Sequence, residues 1–356
     1  VKKGDFFMQK LAMALIVLGI FFVFGLEKAQ ALTIIPPSTE FQVDPGETYE
    51  TTIKLFNETQ SDLTLYTDVR NFTQLGETGT PNFDFDAELA GLASYITVTP
   101  GPIPVGAGER VEVAVKIAFP LDAEPGGAYA SVFFTETPPV PTAPGQVAIS
   151  SKLGSLLIVR VSGDILEMGA VSDFGTEVCN SETKTCAEHG GTYNRLPIEF
   201  FMRYTNTGNV HLRPSGTIAI KNILGGTTAT LEMNDADGAT LPDSTRKYTA
   251  VWEKERVNAD EGNIWTDFWQ EFGNEWRNFG LGRYTAMVTV TAGEDTIITD
   301  TGTLTLWIWP WRVLVISLLV LVALVLIIFF GIKRYNAHIL KKAAEQQGQS
   351  KPSSKV

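Results

Sequence analysis

The chain has 356 residues, a net charge of −12 and 44% hydrophobic residues. That length suits two domains of ordinary size rather than one small sandwich. The acidic balance argues against nucleic acid as a partner, because a phosphate backbone needs a basic surface. With three histidines and two cysteines, little material is present for a metal centre or a histidine-activated nucleophile.

Residues 1–31 read as an export signal. Lys2, Lys3 and Lys10 are a basic leader, Leu11 to Leu26 is apolar, and Ala29-Gln30-Ala31 is a small-x-small cleavage site. The mature chain is expected to start at Leu32. A retained N-terminal anchor is the alternative, since the apolar run is long for a signal peptide.

From 33 to 165 the pattern is short alternating strands punctuated by Pro and Gly. Tyr49 to Phe56, Leu63 to Val69, Arg110 to Ile117, Ala128 to Phe134 and Leu156 to Val161 are the clearest. About seven strands with turn signals and no helical period predict an antiparallel, immunoglobulin-like sandwich. The Pro-rich run 137–144 is expected to be a loop, since its prolines cannot join a central strand. Asn57-Glu-Thr59 and Asn71-Phe-Thr73 match the glycosylation sequon. Asp84-Phe-Asp86 and Asn234 to Gly238 offer oxygen ligands, but neither follows the twelve-residue calcium loop, and turn chemistry is the expected role.

The residues Val43-x-Pro45-Gly46-Glu47, a strand ending at Asn57, a long irregular stretch, and Pro120-x-x-Ala-x-Pro-Gly-Gly127-x-Tyr129 before a strand resemble the first domain of the WxL-interacting bacterial cell-surface proteins. Asn206-x-Gly-Asn209 followed by Pro214-x-Gly216 resembles their second. The resemblance implies two β-sandwich domains, a C-terminal membrane helix and a basic tail. It further implies peptidoglycan or another cell-wall polymer as a ligand of the first domain, and a protein as partner of the second.

A second sandwich is predicted over 166–306, with strands at Leu196 to Tyr204, Gly216 to Ile220, Arg246 to Trp252, Arg283 to Val290 and Thr303 to Leu306. Cys179 and Cys186 are expected to form a local disulfide in an oxidising compartment, with free thiols as the alternative. One segment, 264–279, breaks the β pattern. Trp265, Phe268, Trp269, Phe272, Trp276 and Phe279 fall within roughly 100° of arc at the helical period, which predicts an inserted amphipathic helix. Its aromatic face has three readings: packing on the sandwich, docking another surface protein, or lying on the outer leaflet. Packing is the plainest of these. Asp267, Glu271 and Glu275 against Arg277 alone weigh against an anionic surface.

Residues 312–332 predict a transmembrane helix. Val313 to Ile332 carries no charge and no Pro, and at helical rise it is about 30 Å long, the thickness of a hydrocarbon core. Trp307, Trp309 and Trp311 before it and Lys333 and Arg334 after it are the residues expected at the two membrane interfaces. Residues 1–31 carry +2 and residues 333–356 carry +5, which leaves −19 between them. The positive-inside rule predicts a single-pass type I protein with a cytoplasmic C-terminus, its basic tail ending in a disordered stretch. No HExxH, phosphate loop or Ser-His-acid spacing is present. The expectation is an all-β, non-catalytic surface binder with no cofactor, engaging membrane lipid, wall polymer and possible protein partners but no nucleic acid. An envelope-assembly chaperone lending a strand edge is the competing reading.

Overall fold

The computed structural model describes residues 31–136, 152–180, 183, 185–255 and 263–349. The expected export signal (apart from Ala31) and the Pro-rich run 137–144 lie outside them. The chain divides into two compact units, Val1–Leu75 with Thr80–Leu166, and Gly76–Gly79 with Glu167–Val356.

Unit 1 contains β1 (Leu32–Ile35), β2 (Ser38–Val43), β3 (Thr48–Asn57), β4 (Leu63–Leu75), β5 (Thr80–Phe83), the short helix α1 (Gly91–Tyr95), β6 (Ile96–Val98), β7 (Ile103–Val105), β8 (Arg110–Ala118), β9 (Gly126–Thr135) and β10 (Lys152–Val161). One sheet runs β1-β3-β8-β6 and the other β2-β10-β9-β4-β5, with β7 on the far half of β4. Alternation assigns the faces. Along β8, Val113, Val115 and Ile117 point inward, as do Ile53 and Leu55 of β3, and they meet Val132, Phe134, Leu157 and Val159 of the second sheet. On the outer face Lys54 lies opposite Glu112 and Glu50 opposite Lys116, ion pairs of 3.1 and 3.4 Å that are too exposed to contribute much. Between β2 and β3, Pro45 and Gly46 make a tight turn. Gly46 has φ +86° and Glu47 N–H donates to Asp44 O at 3.1 Å, a conformation that a side chain at 46 would strain.

Unit 2 contains β11 (Gly169–Asn180), β12 (Thr185–Glu188), β13 (Thr192–Tyr193), β14 (Ile198–Asn206), β15 (Ser215–Asn222), β16 (Thr227–Met233), β17 (Ser244–Trp252), helix α2 (Ile264–Arg277), β18 (Gly282–Ala292), β19 (Ile298–Ile308) and helix α3 (Trp311–Gln349). Its sheets run β12-β11-β14-β17 and β13-β19-β18-β15-β16. Phe200, Met202 and Tyr204 of β14 pack against Ile218, Ile220, Val288 and Val290. Both units are β-sandwiches of the immunoglobulin type, as predicted. Among the described residues they depart from pure antiparallel pairing at one place each: β2 runs parallel to β10, and β13 runs parallel to β19.

The same device closes a strand end in each unit. Asn57, at the end of β3, is wholly buried. Its Nδ2 lies 2.8 Å from Ser61 O and 3.1 Å from the carbonyls of Val105 and Gly106, and its Oδ1 accepts from Thr59 N–H at 3.0 Å. Asn206, at the end of β14, is equally buried. Its Nδ2 donates to Val210 O at 2.7 Å and Thr240 O at 2.9 Å, and its Oδ1 accepts from Gly208 N–H at 2.9 Å. In both, one amide satisfies the carbonyl four residues on, the N–H two residues on, and a distant loop. The sequon at Asn57 is therefore a structural staple with no room for a glycan in the fold.

Burial of Tyr204 sets an alkaline limit for unit 2. Desolvation, with the nearby Asp300 and Tyr248, pushes its phenol up to about 12 from 10.0. Burial likewise raises Tyr248. The folded state holds these protons while the unfolded chain releases them at about 10, so the stabilisation is complete below pH 10 and is lost as pH rises toward 12. An alkaline titration should show phenolate absorbance from these residues appearing together with unfolding. Their ionisation in a fully folded unit at pH 10 would contradict this.

Helix α3 is long and apolar enough over Trp311–Lys342 to cross a membrane. It does not end with the apolar run. The basic tail continues as helix to Gln349, which takes in the first four residues of the end expected to be disordered; residues 350–356 lie outside the described residues. From Lys333 to Gln347 there is no Pro or Gly, and Ala, Lys, Glu and Gln are good helix formers.

Candidate functional site

One concave feature of unit 1 is an open cleft of about 550 Å³ whose lining includes Asn71, Phe72, Tyr95, Asp122, Glu124 and Tyr129. Three elements build it. β9 supplies Tyr129 on the outward face, since Ala130, Val132 and Phe134 are committed to the core. Tyr129 lies over Gly127, where an added Cβ would stand 2.0 Å from its hydroxyl, so a side chain at 127 would displace the Tyr129 ring. Phe72 of β4 backs Tyr129 with ring centroids 5.8 Å apart. The segment ahead of β6, including α1, forms the opposite wall and carries Tyr95, whose ring is 5.9 Å from that of Phe119.

That wall is pinned to the sheet. Asn71 Nδ2 donates to Ala90 O at 2.6 Å and its Oδ1 accepts from Ala93 N–H at 2.9 Å. Arg70 Nη1 donates to Ala87 O at 2.8 Å. Asn71, the second sequon, is therefore also a tether. Arg70 and Lys152 neutralise the buried Asp68 at 3.0 and 3.1 Å, and Lys152 stands 3.7 Å over Phe85. The wall is thus tethered at Ala87, Ala90 and Ala93, and the cleft is lined by aromatic rings together with the exposed Asp122 and Glu124.

In unit 2 the predicted helix is present as α2, but its faces are reversed from the plainest expectation. The aromatics do not pack on the sandwich. Trp265, Trp269 and Trp276 are 75%, 55% and 63% exposed, Phe279 is exposed, and Phe268 and Phe272 are half-buried. The polar side is buried instead, through Asn274, Glu275 and Asn278. Two arginines account for this. Arg195 pairs with Glu271 at 3.0 Å. Arg312 Nη1 pairs with Glu275 at 2.8 Å and reaches Glu271 at 3.6 Å. The Glu275 carboxylate also accepts from the N–H groups of Arg312 and Val313 at 3.0 and 3.2 Å, so it caps the N-terminus of α3. Asn263 caps α2 itself, its Oδ1 accepting from Trp265 and Thr266 N–H at 3.0 Å.

Cys179 and Cys186 are bonded across the β11–β12 hairpin. Glu177 and these two sulfurs are the one grouping among the described residues compact enough for a cation, and the disulfide removes both thiolates from that role. Trp307, near the end of β19, and Trp309, just beyond it, have stacked rings 6.1 Å apart, and Trp311 opens α3. Lys333 and Arg334 lie within α3, beyond its uncharged stretch. His211 shares a small hollow with Glu167, but that carboxylate is occupied by the N–H groups of Glu294, Asp295 and Thr296. Asp84 Oδ1 caps its own turn. Asn234 bonds Pro214 O and Gly238 O, which is turn chemistry.

Sequence reading named Tyr129 but passed over Tyr95, Asp122 and Glu124, which lie in segments without periodicity. It also passed over Arg195 and Arg312, whose partners are remote in the chain.

No family model and no curated protein matches the chain. Among solved structures it is similar to the class 5 fimbriae chaperone CfaA, at 10% identity and a TM-score of 0.36, covering 79% of this chain and 100% of that one. It is also similar to the Escherichia coli chaperone DraB, at 12% identity and 0.31, covering 78% and 97%. A third is a chain of the CsuC–CsuE chaperone–tip pre-assembly complex of Acinetobacter baumannii, at 13% identity and 0.29, covering 61% and 89%. At these values the similarity carries no argument about what this chain does.

Proposed function

We propose that the chain is a non-catalytic, membrane-anchored surface protein that holds cell-wall polymer in the cleft of unit 1. In this reading α3 is the anchor, the two sandwiches face outward, and the basic C-terminal end faces inward, following the positive-inside rule. The cleft carries the reading. Tyrosine rings stack on the C–H faces of sugars, and carboxylates accept from their hydroxyls. The cleft's lining includes Asp122 and Glu124 but no Lys or Arg, which suits a neutral or amine-bearing glycan and repels an anionic one. The resemblance to WxL-interacting proteins, whose first domain is associated with peptidoglycan, supports the same ligand class.

The strand-lending alternative requires a long unpaired edge in unit 1. The edge strands described there are β1, β2, β5, β6 and β7, of 4, 6, 4, 3 and 3 residues. Edges that short favour binding through a cleft over donation of a strand.

The test is co-sedimentation of the full chain, held in detergent micelles, with purified peptidoglycan sacculi. Wild type should pellet. Tyr95→Ala and Tyr129→Ala should each weaken binding about tenfold, or about 1.4 kcal/mol, with unchanged circular dichroism. Failure of the wild type to pellet, or equal binding by both variants, would sink the proposal.

A further inference from the structure

Helix α2 presents aromatics outward and buries its polar side, the reverse of a helix lying on a soluble sandwich. An exposed cluster of this kind marks an interaction surface, and its position identifies what covers it. Glu275 is bonded to the N–H groups of Arg312 and Val313, at the point where the uncharged stretch of α3 begins. At the other end of α2, the Phe268 ring is 6.5 Å from that of Trp311, the first residue of α3. The aromatic face of α2 is thus continuous with the tryptophan belt that opens the membrane span.

We propose that this face is a second membrane contact, with Trp265, Trp269 and Trp276 embedded at the headgroup level of the phospholipid leaflet that α3 enters. Indole suits that level because its ring is apolar and its N–H can still reach water or a headgroup. The charge objection raised by the sequence does not survive the fold. Glu271 is paired with Arg195 and Arg312, and Glu275 is buried against Arg312. Of the acids in α2, that leaves Asp267 alone without such a pairing, against the exposed Arg277. A protein or a second copy would have to cover a face that begins at the mouth of the span, where lipid already lies. The inference is independent of the cleft in unit 1.

The test uses the full chain labelled with 5-fluorotryptophan in phosphatidylcholine nanodiscs. Its seven tryptophans are assigned by single Trp→Phe variants, and a fraction of the lipid carries a nitroxide at the headgroup. Fluorine resonances of Trp265, Trp269 and Trp276 should broaden at least half as much as that of Trp311. The resonance of Trp252, buried in the unit 2 core, should stay sharp. If the three α2 resonances stay as sharp as that of Trp252, the proposal is overturned. A water-soluble gadolinium chelate then tells which surface is present: broadening means a face open to water, and no broadening means a face covered by protein.

Discussion

Replacing Glu275 with alanine is expected to release α2 from the start of α3 while leaving both sandwiches folded. The carboxylate is completely buried and serves three donors at once: the backbone N–H groups of Arg312 and Val313 and the Arg312 guanidinium. Removing it leaves Arg312 with only the longer contact to Glu271, at 3.6 Å, and leaves two helix N-terminal donors unpaired. Breaking a buried pair from one side costs about 3–5 kcal/mol, and the orphaned N–H groups add to that. The readout is amide hydrogen exchange of residues 264–278 in the full chain in nanodiscs. Protection should fall by a factor on the order of a hundred to a thousand, following the conversion of 1.4 kcal/mol per tenfold. Glu275→Gln keeps one oxygen that can accept from the backbone and should lose less. Unchanged protection in the alanine variant would mean that α2 is held by other contacts, and that the cap on α3 is incidental.

The second large effect is expected at Asn57 and Asn206. Alanine at either position removes an amide that satisfies backbone groups on two separate segments. The carbonyls left behind are sheltered, and each unsatisfied group costs about 1–3 kcal/mol. A loss of roughly 2–4 kcal/mol is a large share of the 5–15 kcal/mol that a typical domain holds in reserve. Because the units have separate cores, Asn57→Ala should lower one calorimetric transition of the full chain and Asn206→Ala the other. Asn206→Asp should be at least as damaging as alanine, since a carboxylate oxygen would then face the carbonyls of Val210 and Thr240. Losses below about 0.5 kcal/mol, the range of ordinary surface substitutions, would show that water replaces the amide without difficulty.

The two asparagines illustrate what a sequence conceals. Asn57-Glu-Thr59 reads as a glycosylation site, and Asn206-x-Gly-Asn209 enters through a family resemblance. Only the burial of both side chains and their bonds to carbonyls as distant as Val105 and Thr240 identify them as the same staple. The glutamates of α2 are a similar case. On a helical wheel Glu271 and Glu275 belong to a solvated face opposed by a single arginine. In the fold they turn inward to Arg195 and Arg312, which come from other parts of the chain.

Local chemistry determined the rest. Period-two alternation in β3, β8, β14 and β18 produces sandwiches because each strand has one apolar face to hide and one polar face to solvate. Twenty uncharged residues followed by Lys333-Arg334 specify a helix long and apolar enough to cross a membrane by length and polarity alone, and two cysteines on facing strands of a hairpin needed no distant information to pair. The tertiary structure decided which side of α2 is inside, which residues line a cleft with Tyr95 and Tyr129, and which carboxylates are neutralised. These depend on pairings between residues far apart in the chain, and periodicity reports only how a segment divides its own two faces, not which partner either face will find.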